Sequence, residues 1–164
     1  MSKYIINGGK KLNGEVHISG AKNATLGILA ATIMTDEDVI IENIPNVWDV
    51  NVMIEAIKIL GASVDRIDNN TVKINSTNAN ITELSGTNLG QMRATYYFVG
   101  ALLAKHKKAK VCFPGGCNIG ARPINLHLKG FNALGANAYE ENGYLIAEAE
   151  NLVGANIYLD VVSV

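Results

Sequence analysis

An α/β (α+β) fold, assembled from a repeated strand–helix–strand–helix–strand–strand unit, is predicted by three observations. First, residues 50–62 carry apolar side chains at helical spacing and end in Leu60-Gly61-Ala62; residues 124–136 do the same and end in Leu134-Gly135-Ala136, an offset of 74 residues from Val50 to Ile124. Second, a β-rich run closing in proline precedes each, at Pro45 and at Pro114. Third, a hairpin signal follows each, with turns at Asp68-Asn69-Asn70 and Glu141-Asn142-Gly143, Asn-Gly being a strong hairpin signature. A repeat settles architecture before any single element does, because each unit buries its apolar faces against neighbours.

The elements follow in order. His17 alternates with apolar neighbours in a first predicted strand. An apolar helix is predicted over residues 24–34, a strand over 39–45, a second helix over 50–60 and a hairpin after it. The second unit repeats this with a helix over 94–104, a strand over 110–114 and a helix over 124–134. Gly61 and Gly135 stand where helices end in a left-handed residue. The units run over about 21–80 and 88–150, and a third opens near 153 with a strand over 155–159. The sequence stops at Val164, on an apolar run where the next helix should start, so it reads as part of something longer.

Composition narrows the function classes. With 48% hydrophobic and 18% charged residues the sequence is that of a globular domain with a real core. Fourteen basic residues against 15 acidic ones leave a net charge of −1, which gives no bulk electrostatic reason for a nucleic-acid or membrane partner. Any anion site must be local. The most apolar helical run, 26–34, falls well short of the roughly 20 residues that span a bilayer, and the start lacks a signal-peptide core, so a cytoplasmic location is expected. Cys112 and Cys117 form no Cys-x-x-Cys pattern and have no nearby histidine pair, so free thiols and no metal are expected. There is no G-x-G-x-x-G or Walker A pattern, and no cofactor is expected.

A few residues stand where chemistry could occur. Lys22 and Asn23 lie at a strand-to-helix junction, where unpaired N–H groups and the helix dipole favour an anion, although a solvated lysine beside an N-cap asparagine fits the same letters. Arg93 stands at the related entrance in the second unit. Cys117 sits in Pro114-Gly115-Gly116-Cys117-Asn118-Ile119-Gly120-Ala121-Arg122-Pro123, a loop too glycine-rich for core packing, which implies an exposed thiol. Arg122-Pro123 opens the following helix, again a favourable place for an anion. Cys112 alternates with apolar neighbours and reads as a packed strand residue. His127 reads as a helix-face or packing histidine and Trp48 as a packing residue with stacking on a ligand as the alternative. His106 falls in the basic stretch 105–110, read as a solvated turn.

The segments Ile18-Ser19-Gly20-Ala21-Lys22-Asn23-Ala24, Gln91-Met92-Arg93-Ala94, the cysteine loop, and Asp160-Val161-Val162-Ser163-Val164 occur in an order that resembles the enolpyruvyl transferases. The resemblance covers essentially the whole chain. It implies six βαβαββ units in two inside-out α/β barrel lobes, of which residues 21–164 would be an incomplete first lobe and residues 1–20 a strand segment pairing with the second. The cysteine loop points to the cell-wall branch, which transfers the enolpyruvyl group of phosphoenolpyruvate to the 3′-hydroxyl of UDP-N-acetylglucosamine at the first committed step of peptidoglycan synthesis.

The same resemblance assigns roles. Lys22 and Asn23 would bind phosphoenolpyruvate. Arg93, Arg122, Pro123, Ile124, Asn125, Leu126, Val161, Val162, Ser163 and Val164 would bind the UDP-sugar. Cys117 would be the general acid and the residue alkylated by the epoxide antibiotic fosfomycin. Asn125 stands where many members carry an acid, and Val161 where some carry lysine. An aspartate base and further arginines would come from the other lobe, so residues 1–164 alone should be inactive. A non-catalytic module for a UDP-sugar or anion, and the sister 3-phosphoshikimate transferase, are the competing readings.

Overall fold

The computed structural model describes residues 3–86, 89, 92–112, 124–159 and 161. In chain order these form α1 (Lys22–Ala31), a 3-10 turn (Thr32–Met34), β1 (Val39–Ile41), α2 (Trp48–Ile59), β2 (Ser63–Arg66), β3 (Val72–Asn75), β4 (Glu83–Leu84), a 3-10 turn (Arg93–Tyr96), α3 (Tyr97–His106), β5 (Lys108–Cys112), α4 (Asn125–Ala133), β6 (Asn137–Glu141) and β7 (Tyr144–Glu148). None of the described helices is long and apolar enough to cross a membrane.

The strands make two sheets with matching order. The first runs β1-β3-β2 and the second β4-β5-β7-β6, so β1, β3 and β2 correspond to β5, β7 and β6. In both, the hairpin's second strand sits between its partner and the strand before the helix, all antiparallel. β4 adds a parallel neighbour to β5. The period of two is visible in the burial: Val72 and Ile74 of β3 are wholly buried, as are Ala109 and Val111 of β5 and Ala147 of β7, while Lys73, Lys108 and Lys110 alternate outward to pair with Asp38, Glu148 and Glu83.

Three helices fill the core. α2 buries Val50, Val52, Met53, Ile54, Ala56 and Ile57, and α3 buries Phe98, Val99, Ala101, Leu102 and Leu103. α3 packs on β5, β7, α1 and the Thr32–Met34 turn, which joins the two units. α4, the counterpart of α2, is exposed or half-buried along its length and has no fully buried residue; its Leu128 and Phe131 reach the core only at its edge. Gly61 (φ 102°) and Gly135 (φ 92°) end α2 and α4 in left-handed conformations as expected. After each, a backbone N–H returns to the residue before the glycine, Ile81 to Leu60 and Val153 to Leu134.

Several expectations need correction. No strand forms around His17: residues 3–20 carry no regular structure, and Tyr4, Ile6 and Leu12 are almost fully exposed. The first unit therefore lacks the opening strand that β4 supplies to the second. Nor does a strand form over 155–159, where Tyr158 is 82% exposed. A strand is stable only where an edge receives it, and neither segment meets one among the described residues. The basic stretch 105–110 is no solvated turn. Lys105 is mostly buried and its Nζ donates to Asp36 Oδ1 at 2.8 Å and to the Ser76 carbonyl at 2.7 Å. His106 Nε2 lies 2.7 Å from the Ala79 carbonyl, and β5 begins at Lys108. Trp48 does not pack inward: it is 52% exposed and lines a groove with Asn51, Glu55, Ser85 and Leu89.

Candidate active site

The helix entrances converge. α1 begins at Lys22 with Ala21 as its cap, α2 at Trp48 with Val47, and the Arg93–Tyr96 turn with Met92; none of these caps offers a side chain to the leading N–H groups. Each entrance therefore leaves its leading N–H groups without a side-chain cap at the positive end of its dipole. The first residues of all three line one open cleft of about 340 Å³, bounded by Lys22, Asn23, Asp49, Met92, Arg93 and Tyr96.

The backbone at two of these entrances is held from within. Thr25, buried, donates its hydroxyl to the Ala21 carbonyl at 3.0 Å, and Thr95, also buried, to the Met92 carbonyl at 2.9 Å. Leu26 and Leu29 anchor α1 in the core behind Lys22, and Phe98 anchors α3 behind Arg93. The cations thus project from rigid elements, which is how a binding constellation keeps its geometry. Lys22 pairs with Asp49 at 2.5 Å across the α1–α2 junction.

Lys22, Asn23 and Arg93, separated by up to 71 residues in sequence, thus meet in one cleft. Tyr96 extends the same wall toward α4, its ring edge-on to His127 at 5.1 Å, and both line a small apolar hollow with Val99, Ile124, Leu128 and Phe131. Ile124 is buried, Asn125 exposed and Leu126 half-buried at the first turn of α4. His127 is accordingly a helix-face residue, as its position suggested. Val161 is exposed. Cys117, Arg122, Pro123, Val162, Ser163 and Val164 lie outside the described residues. Cys112 sits in β5 opposite Tyr144, half-buried, and burial pushes its thiol up, which lowers its thiolate fraction and its reactivity.

Three residues of the cleft escape sequence reasoning. Asp49 looks from sequence like an ordinary acidic residue in a helix's first turn; its partner Lys22 lies 27 positions away, and no local pattern joins them. Tyr96 and Tyr97 could have been noticed as an aromatic pair at a helix entrance, with rings 4.8 Å apart.

The UDP-N-acetylglucosamine 1-carboxyvinyltransferase of Clostridium botulinum is 50% identical over all of this chain, and enzymes of that name from Caldanaerobacter subterraneus and Bacillus subtilis are 46% and 43% identical. The chain spans about 40% of the length of these relatives. In fold it resembles the enolpyruvyl transferase NikO from Streptomyces tendae, with a TM-score of 0.74 at 22% identity over 89% of this chain and 32% of that one. The family model described as EPSP synthase (3-phosphoshikimate 1-carboxyvinyltransferase) matches residues 6–164, and the chain belongs to that family.

Proposed function

We propose that the protein containing this chain transfers the enolpyruvyl group of phosphoenolpyruvate to the 3′-hydroxyl of UDP-N-acetylglucosamine and releases phosphate, a step of peptidoglycan synthesis. The observation that carries the reading is the cleft in which Lys22 and Asn23 at the α1 entrance meet Arg93 at the Arg93–Tyr96 entrance, neither capped by a side chain. The substrates bring a carboxylate and three phosphates, and cations beside oriented N–H groups are what such anions require. The 43–50% identity to enzymes of this name favours UDP-N-acetylglucosamine over 3-phosphoshikimate as acceptor.

In this reading Lys22 and Asn23 hold phosphoenolpyruvate at the α1 entrance. Arg93, the segment Arg122, Pro123, Ile124, Asn125 and Leu126, and Val161, Val162, Ser163 and Val164 hold the UDP-sugar, with Val161 near its diphosphate and Ser163 and Val164 at its uridine. Asn125, exposed at the start of α4, would serve uridine through its amide in place of a carboxylate. Cys117 delivers a proton to the methylene carbon while the sugar hydroxyl adds to the neighbouring carbon; loss of a proton and of phosphate then restores the double bond. A thiol of ordinary pKa, about 8.5, is protonated at neutral pH and can act as this acid. The sugar's base comes from the second lobe, and closure of the two lobes would exclude water.

The test uses the full-length protein. Phosphate release from phosphoenolpyruvate should require UDP-N-acetylglucosamine, and Cys117→Ala should lower kcat by about 10²- to 10⁴-fold, the usual worth of a general acid. Fosfomycin should add one adduct, mapped by peptide mass to Cys117 and not to Cys112. A full-length protein that neither releases phosphate nor takes the adduct would refute the reading.

A further inference from the structure

Asp49 is the one carboxylate among the described residues lining a cleft otherwise suited to anions, and it is bound to Lys22. Its side chain is more buried than that of its partner, at 26% against 48% exposure. A negative charge here repels the ligand that Lys22 and Arg93 attract, so a purely electrostatic design would leave it out. Nor does the fold require an acid at this place. In the register of the repeat, Val50 to Ile124, Asp49 falls opposite Pro123 in the sequence, so the repeated pattern itself calls for no carboxylate at this position.

Resting on the function proposed above, we propose that Asp49 is a positioning residue. It holds the Lys22 ammonium at the α1 entrance and yields it to a ligand only in exchange, so that the cleft discriminates against small free anions. Lysine is a flexible four-carbon stem with a point charge, and a fixed partner on a second helix narrows the volume its ammonium samples. Inorganic phosphate arriving at Lys22 must displace or share the Asp49 carboxylate, and it makes few other contacts with which to offset that cost. A substrate that also reaches Arg93 and the α1 and α2 entrances offsets it readily. Free phosphate is the product of the proposed reaction, so weak retention of it favours turnover.

The experiment uses the full-length protein and inorganic phosphate as probe. Direct titration should show that Asp49→Asn binds phosphate roughly tenfold tighter than the parent, an effect of one neighbouring charge in a half-exposed site. In steady-state assays the same variant should lose about tenfold or more in kcat, because Lys22 is no longer held, and Asp49→Glu should recover most of it. Adding Lys22→Gln to Asp49→Asn should erase the gain in phosphate affinity, which ties the effect to the pair. Unchanged or weaker phosphate binding by Asp49→Asn would overturn the proposal, as would an undiminished kcat. A merely structural role for Asp49 predicts weaker phosphate binding, a lower melting temperature and no recovery by Glu. The titration needs no turnover: should the parent fail to consume phosphoenolpyruvate, the functional reading falls while the phosphate result still decides the role of Asp49.

Discussion

Replacing Gly61 by alanine should cost far more than the same change at Gly143, and the structure says by how much. Both residues have positive φ, 102° and 80°, so both alanines pay the left-handed penalty of about 1–2 kcal/mol. At Gly143 a Cβ meets nothing within 4 Å, whereas at Gly61 it would lie 2.6 Å from the Asn78 carbonyl oxygen. That oxygen is backbone and belongs to the turn whose N–H groups close on Ser76 and Asn78, so relief requires the end of the first unit to move. Overpacking of this kind adds about 1–3 kcal/mol. The sum for Gly61→Ala is about 3 kcal/mol, or roughly 6–12 °C in Tm for a chain of this size. Gly135→Ala should fall between the two, because its Cβ would stand 3.3 Å from the Asn151 carbonyl oxygen. Thermal and urea unfolding of the three variants side by side is the assay. Gly61→Ala as stable as Gly143→Ala would refute the clash argument and leave φ alone as the cause.

Other outcomes follow from contacts described above. Lys105→Met keeps most of the aliphatic stem but leaves the Ser76 carbonyl without its ammonium donor, and should lower stability by about 1–2 kcal/mol in urea unfolding. The pH dependence is signed by the Asp38–Lys73 pair. The Lys73 ammonium, then Asn75, holds Asp38 below its ordinary 3.8, so its contribution is present above that value and is lost as pH falls through the lower folded value. Asp38 in turn raises Lys73 above 10.5, so that contribution is present below 10.5 and is lost as pH rises through the higher folded value. Asp38→Asn should therefore flatten both limbs of the stability–pH curve, most visibly at low salt because the pair is exposed.

Much of the architecture was legible because it rests on local rules. The apolar period placed α2 and α4, glycines at 61 and 135 ended them, and Asn142-Gly143 turned the second hairpin. What local rules cannot state is who the neighbour is. The segments at 3–20 and 155–159 have strand-like letters and no receiving edge. Lys105 looks solvated in a basic run, yet Asp36 and the Ser76 carbonyl, far off in sequence, draw it inward. α2 and α4 share a pattern but not a burial, since α2 lies against α1 and the Arg93–Tyr96 turn while α4 packs mainly on β6. Within the site, Lys22, Asn23 and Arg93 were readable as cations and amides at helix entrances, whereas Asp49 was not, because its meaning lies in a partner on another helix.

The matching strand order of the two sheets also bears on how the chain is made. In each unit the central strand is the last one synthesised: β3 fills the gap between β1 and β2, and β7 the gap between β5 and β6. On the ribosome, β1 must therefore wait for its β3 partners until Ile74 has emerged, roughly 33 residues after Ile41. Ile40, which stays 58% exposed even in the finished fold, spends that interval on a bare edge. A pause in translation between Ile41 and Val72 would prolong the period in which this edge can capture another nascent chain.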